Sequence, residues 1–199
     1  MQKILMASNN ENKVREVEKL LDGLDCEVVN LTAFPDLELP PEDGVTFVEN
    51  AVIKAMAGAK ATGLITVADD SGLEVDYLNG EPGVYSARFA GPQHDDADNN
   101  KKLVQMMKTS PEMERGARFV SAIVIATPEG KTYESLGHCE GQIILEPRGN
   151  GGFGYDPYFY IPKLGKTMAE LSMVEKNKIS HRATALTGIM PVLRKLIKG

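Results

Sequence analysis

Apolar residues bunch and space themselves along this chain in ways that mark out its elements. Lys3 to Ala7 (KILMA) is a short apolar run that predicts a buried strand. Val14, Val17, Leu20, Leu21 and Leu24 recur at helical spacing and predict a helix over about Glu11 to Leu24, with Asn10 as its N-cap. Cys26 to Leu31 (CEVVNL) predicts a second strand, and the proline- and acid-rich stretch from Thr32 to Gly44 a loop. Thr46-Phe47-Val48-Glu49 has capping-box spacing and opens an alanine-rich helix reaching about Ala61, which Gly63 ends. Leu64 to Ala68 (LITVA) predicts a strand running into ADDSG. Leu73 to Leu78 (LEVDYL) alternates like a half-buried strand, followed by turn chemistry at Asn79 to Gly83.

Beyond these, a polar helix is predicted from about Asp95 to Lys108. ARFVSAIVIA and KTYESLGHC flank the turn TPEG and predict a hairpin of long strands, with GQIIL as a further strand. GNGGFGYDP is a glycine-rich loop. Leu186, Met190, Leu193 and Ile197 share one face of a final helix from Ser180 to Ile197, which Pro191 should bend or locally adjust. The order, βαβ first and an antiparallel hairpin later, predicts an α/β domain with a mixed, elongated sheet.

At 199 residues the chain makes one large domain, or one domain with two lobes. A net charge of −6 argues against a nucleic-acid footprint, which wants a basic face. No stretch approaches the roughly 20 apolar residues of a membrane span, and the first residues lack a signal-peptide pattern. Cys26 and Cys139 have no metal spacing and predict buried thiols in a reducing cytoplasm, while His94 and His138 lack chemical company.

Four stretches could carry chemistry, and each also has a plain structural alternative. Ser8 to Lys13 (SNNENK) sits at a strand-to-helix junction, where free amides and the helix dipole suit phosphate; it could equally be an Asn-capped helix with a solvated lysine. ADDSG puts Asp69 and Asp70 beyond a strand's carboxyl end, where open α/β sheets bind ligands and a carboxylate can hold magnesium or take a proton from water. Its alternative is an Asp-Gly turn. Gly149 to Pro157 offers close backbone approach and the faces of Phe153 and Tyr155 for a base, or it is a flexible loop. Glu175 to Arg182 (EKNKISHR) gathers Lys176, Lys178, His181 and Arg182 in an acidic chain, as a phosphate- or carbonyl-bearing ligand would require, or it is a solvated basic helix start. Together they describe a nucleotide site.

In this order the stretches closely resemble the inosine triphosphate pyrophosphatase family, from SNNENKVRE through EDGVTFVENAVIKA, ADDSGLEVDYLNGEPGVYSAR and GNGGFGYDPYF to EKNKISHRATAL. The resemblance implies a two-lobed α/β domain spanning residues 1–199 around a long mixed sheet, with the substrate in a cleft between lobes. It implies a cytoplasmic homodimer that hydrolyses ITP, dITP and XTP to the monophosphate and pyrophosphate. Nucleotide contacts fall on Ser8, Asn9, Asn10, Glu11, Asn12 and Lys13, on Ser71, on Phe153, Gly154, Tyr155 and Asp156, and on Lys176, His181 and Arg182. Asp70 matches the proton acceptor and magnesium ligand, and the acidic loop supplies a second ligand, assigned to Glu42. Where many relatives have Thr-Gly and EETG, this chain has Ser8-Asn9 and PEDG, with Pro41 in place of an acid.

On this reading Lys13 holds phosphate, Asp70 activates water, and Arg182, Lys176 or a backbone amide meets the O6 of hypoxanthine or xanthine and is left unpaired against adenine. Asp69 shapes the turn or adds to the field that draws magnesium, and the paired carboxylates hold the metal weakly until triphosphate arrives. A broader nucleotide pyrophosphatase and a silent nucleotide sensor are the alternatives.

Overall fold

A computed structural model describes residues 2–198 of the protein. Its elements are β1 (Gln2–Met6), α1 (Glu11–Leu21), β2 (Cys26–Asn30), α2 (Phe47–Thr62), β3 (Ile65–Val75), α3 (Asp96–Met107), β4 (Gly116–Ala126), β5 (Thr132–Ile143), β6 (Phe159–Ile161), β7 (Lys166–Thr167), α4 (Met173–Ile179) and α5 (His181–Lys198), with short 3-10 turns between several of them. The strands form one sheet in the order β2-β1-β3-β4-β5-β6-β7. In it β1 runs parallel to β2 and β3, and β6 antiparallel to β5 and β7, so the expected mixed α/β sheet is borne out.

The chain packs as two compact units, each discontinuous in sequence. The first takes the chain up to Asp70, then Ser121–Gly137, then the chain from His181. Its core gathers Ile4 and Met6 of β1, Val14, Val17 and Leu21 of α1, Ile65 and Val67 of β3, Ile123 and Ile125 of β4, and Leu186, Ile189 and Leu193 of α5. Each buried Leu or Ile contributes about 1.5–3 kcal/mol. The strand residues one step out of phase meet α2 instead. A Cβ on Gly58 would come within 2.8 Å of Thr66 Cγ2 and 2.9 Å of Leu5 Cδ2, so α2 approaches the sheet at glycine distance. Helix α2 starts as its sequence predicts: Thr46 Oγ1 accepts from Glu49 N while Glu49 reaches back, and Gly63 closes it with a left-handed φ of 68°.

The second unit takes Ser71–Val120 and His138–Ser180. Leu73 and Val75, Leu103 and Met107 of α3, Phe119, Ile143, Phe159 and Met168 form its core, in which the Phe119 and Phe159 rings lie 4.4 Å apart.

Four differences from the sequence reading matter. The predicted strands on either side of ADDSG are one strand of 11 residues, because β3 has buried partners along most of its length and never turns. Asp76–Leu78 is a 3-10 turn rather than strand. The two strands predicted after the hairpin turn are the single β5. Helix α1 stops at Leu21, three residues early, and α5 runs on through Pro191 to Lys198. Strands β6 and β7 and helix α4 are too short to leave a periodic signal. Cys26 and Cys139 are free thiols, the first only partly buried, and His94 and His138 lie exposed.

Gly137 marks a close passage of β5 over α5. A Cβ there would sit 2.1 Å from the His181 carbonyl oxygen and 2.4 Å from Ala185 N, both backbone atoms. Gly137→Ala should therefore cost about 3 kcal/mol or more, read as a fall in the urea midpoint. An unchanged midpoint would show that β5 and α5 are free to separate.

Candidate active site

Side chains on a strand point alternately to its two faces. On β3 that rule separates Asp69 from Asp70. Asp69 keeps phase with Ile65 and Val67 and points toward α1 and α5; Asp70 keeps phase with Thr66 and points toward α2.

Asp69 is fully buried. Its Oδ1 accepts from Ser121 Oγ at 2.6 Å, and its Oδ2 lies 3.1 Å from both Lys13 Nζ and Arg182 Nη2. Arg182, also buried, gives its other guanidinium nitrogen to Glu16 of α1. Burial by itself would raise the Asp69 carboxyl, but Arg182, Lys13, the Ser121 hydroxyl and Lys54 outweigh it and hold Asp69 far below the ordinary carboxylate range. Glu16, Arg182, Asp69 and Lys13 thus form a charge-balanced quartet, three of them buried and Lys13 partly exposed, which fixes Lys13 at the first turn of α1. The start of that turn is built by Asn10, whose Oδ1 accepts from Asn12 N and Lys13 N. Ser8 Oγ accepts from Asn10 N at 3.2 Å. Ser8, Asn9 and Glu11 face an open recess of about 290 Å³ that Asn30 and Thr32 also line.

Asp70 has a different neighbourhood. Its Oδ2 accepts from Asn50 Nδ2 at 3.2 Å and its Oδ1 lies 3.2 Å from Lys54 Nζ. The same ammonium is 2.7 Å from Glu42 Oε1 and donates to the Asp69 carbonyl oxygen at 2.9 Å. Asn50 also anchors the acidic loop, since its Oδ1 accepts from Gly44 N at 2.8 Å. Burial raises the Asp70 pKa; Lys54 and Lys13 pull it down, Glu42 and Asp69 push it up, and the net shift is upward. Asp70 is therefore the more basic of the two adjacent acids. Glu42 and Asp70 are the hard oxygen donors that a divalent cation takes. Among the described residues no cluster of three or more His, Cys, Asp or Glu side chains could hold a metal ion.

In the second unit the loop before β6 is held from three sides. Asp156 Oδ2 accepts from Phe153 N at 3.0 Å and from Lys176 Nζ at 2.7 Å, and the Lys176 ammonium sits 4.8 Å from the Phe153 ring centre. Gly154 N donates to Asp96 Oδ2 and Gly154 O accepts from Asn100 Nδ2, both at 2.8 Å, so the first two turns of α3 clamp that residue. Gly152 has a φ of 72°, and a Cβ there would come 2.0 Å from Asp156 Oδ2, which explains a glycine at that point. Phe153 keeps a partly exposed ring, while Tyr155 does not: it lies in the core and its hydroxyl donates to the Ser86 carbonyl at 2.7 Å.

The predicted residues thus fall into groups. Ser8 to Lys13, Glu42, Asp70, His181 and Arg182 belong to the first unit; Ser71, Phe153, Gly154, Tyr155, Asp156 and Lys176 belong to the second. Three differ from their expected use. Arg182 does not stand open to a base, since its side chain is 1% exposed and its guanidinium is bonded to two carboxylates, and Tyr155 offers no face for stacking. Asp69 shapes no turn either, because the strand continues past it. Sequence reasoning missed Lys54, Asn50, Glu16 and Ser121. A signal for the first two was present: on α2 a polar residue four positions before a lysine interrupts the buried stripe of Ala51, Ala55 and Ala59.

Comparison with known proteins agrees along the whole chain. The sequence profile of the Ham1 family matches residues 4–192. A dITP/XTP pyrophosphatase from Desulforamulus reducens is 50% identical over 194 residues, covering 98% of this chain and 96% of its own. A solved HAM1 protein from Coxiella burnetii superposes with a TM-score of 0.89 at 42% identity, covering 98% of this chain and 100% of its own. A crystal structure titled nucleoside-triphosphatase / dITP/XTP pyrophosphatase, from Mycobacterium abscessus, gives 0.78 at 46% identity over 96% of this chain and 100% of its own.

The charge-balanced quartet makes a stability prediction. Because the folded-state pKa of Asp69 is depressed, its contribution is complete above the unfolded value of about 3.9 and fades as pH falls. Asp69→Asn should cost about 3–5 kcal/mol at neutral pH, and the gap from the parent protein should narrow below about pH 4. Urea midpoints across a pH series check this; a gap independent of pH would remove Asp69 as the charged partner of Arg182.

Proposed function

The chain belongs to the Ham1 family, and from that premise we propose that it hydrolyses non-standard purine nucleoside triphosphates, dITP, XTP and ITP, to the monophosphate and pyrophosphate. The observation that carries this reading is the 50% identity, over 98% of the chain, with a protein named for dITP and XTP. The site chemistry supports it. Water cleaves the anhydride between the α- and β-phosphates, so the site needs a proton acceptor, cations for phosphate oxygens and a surface for an oxo purine.

Asp70 takes or orients the proton of the attacking water, and its raised pKa suits that work. Lys13 and the amides that open α1 hold phosphate oxygens and stabilise charge as it moves toward pyrophosphate. Glu42 and Asp70 would hold a divalent cation, which we take to be magnesium and which would supply charge neutralisation at the reacting phosphate. In the second unit Phe153 offers its ring to the base and Lys176 a cation for the O6 acceptor, with Gly154, Asp156 and Ser71 shaping that end. Adenine, with an amino donor in place of O6, would meet Lys176 with a donor where the oxo purines present an acceptor. Arg182 serves the reaction through Asp69 and Lys13. A cytoplasmic homodimer is part of the same proposal. No helix among the described residues is long and apolar enough to cross a membrane.

A panel of ITP, dITP, XTP, ATP, GTP and pyrimidine triphosphates, assayed for pyrophosphate with and without magnesium, tests the reading. Turnover should favour the oxo purines and need the metal. Equal rates on all substrates would point to a broad pyrophosphatase, and tight ITP binding without turnover to a sensor. Asp70→Asn should lower ITP hydrolysis by about 10³ or more while the circular dichroism spectrum stays native. Near-normal turnover would overturn the role of Asp70.

A further inference from the structure

Lys54 is a lysine with almost no exposure, placed on α2 among small apolar residues. An ammonium has three N–H donors. Those of Lys54 meet three acceptors: Glu42 Oε1 at 2.7 Å, the Asp69 carbonyl oxygen at 2.9 Å and Asp70 Oδ1 at 3.2 Å. The two carboxylates assigned to the metal therefore already share a cation, and it belongs to the protein. Asn50 holds the same pieces from the other side, bonding both Asp70 and the backbone of Gly44. A Cβ on Gly44 would lie 2.7 Å from Asn50 Oδ1, so that contact is close and leaves the acidic loop little room to move.

We propose that Lys54 is a resident cation at the metal corner, which a divalent ion has to displace, so that the nucleotide-free protein disfavours the metal and the metal–triphosphate complex is what the site accepts. The inference rests on the assignment of Glu42 and Asp70 as metal ligands. The physical reason is charge. Two carboxylates brought together repel, and the buried ammonium relieves that repulsion while no nucleotide is present. A divalent ion arriving alone gains only what is left after the ammonium gives up its carboxylate contacts in a buried place. A triphosphate brings several negative oxygens with the metal, and those offer the ammonium a new partner. Lys54 then moves from holding the two carboxylates to holding phosphate, and the same charge is used twice.

The test is direct metal binding to the nucleotide-free protein, with Mn²⁺ as the probe and electron paramagnetic resonance as the readout. Lys54→Met removes the charge and keeps the apolar stem; Lys54→Gln keeps a hydrogen-bond donor and replaces it if the first variant does not fold. Thermal unfolding by circular dichroism establishes folding. The expected result is Mn²⁺ binding at least about tenfold tighter in the Lys54 variant than in the parent protein, since a unit positive charge next to the ion has gone. The gain should vanish in the double variant Lys54→Met, Asp70→Asn. Equal or weaker binding in folded Lys54 variants overturns the resident cation; if in that case Asp70→Asn still removes the Mn²⁺ bound with ITP, the metal corner itself stands. A gain that survives the loss of Asp70 places the ion elsewhere and overturns both.

Discussion

Alternation along β3 is the constraint on which the first unit's chemistry depends. Neighbours on a strand face opposite ways, so two aspartates joined by one peptide bond need not share a face or a partner. Asp69 is drawn to Arg182 and Lys13, Asp70 to Asn50 and Lys54, and each helix layer supplies its own cations. Because the strand does not turn, the repulsion expected of adjacent acids is spread over the two faces of a sheet. The same alternation sets their pKa values apart, one driven down by close cations and one raised by burial.

That separation divides labour between charge that is fixed and charge that is available. Glu16, Arg182, Asp69 and Lys13 close on one another in a nearly dry setting, where leaving out any one strands its partner. Such a group is rigid, and it holds the Lys13 side chain at the start of α1 in one arrangement, at the entropic cost that ordering a flexible side chain carries. Around Asp70 the charges do not balance: Glu42 and Asp70 share Lys54. An unbalanced acidic corner is the one with capacity for a further cation.

How much of this was legible in the sequence differs by element. Local signals were sound where the physics is local: the Asn10 cap, the Thr46–Glu49 box and the Gly63 stop lie where their side chains and φ preferences put them. ADDSG misled because Asp, Ser and Gly favour turns in isolation, whereas the outcome here is decided by Ser121 and Arg182, 52 and 113 residues from Asp69. The basic run EKNKISHR was right about charge and silent about destination: Lys176 went to Asp156 and Arg182 to Asp69 and Glu16. GGFGYDP was legible as a tight loop, but that Tyr155 turns inward follows from its place in a core no local pattern describes. Lys54 left a visible break in an apolar helix face, but what the break means depends on partners outside α2, Glu42, Asp69 and Asp70.

The discontinuity of the two units carries a consequence for how such a protein can arise and change. The chain passes from one unit to the other at residues 70/71, 120/121, 137/138 and 180/181. The first three of those junctions fall inside β3, β4 and β5, and the first separates Asp70 from Ser71. No single cut in a gene can release either unit, and no simple fusion can exchange one for a foreign module. The two units are inherited as one piece. Change in either unit must then come from point substitutions and not from the shuffling of domains.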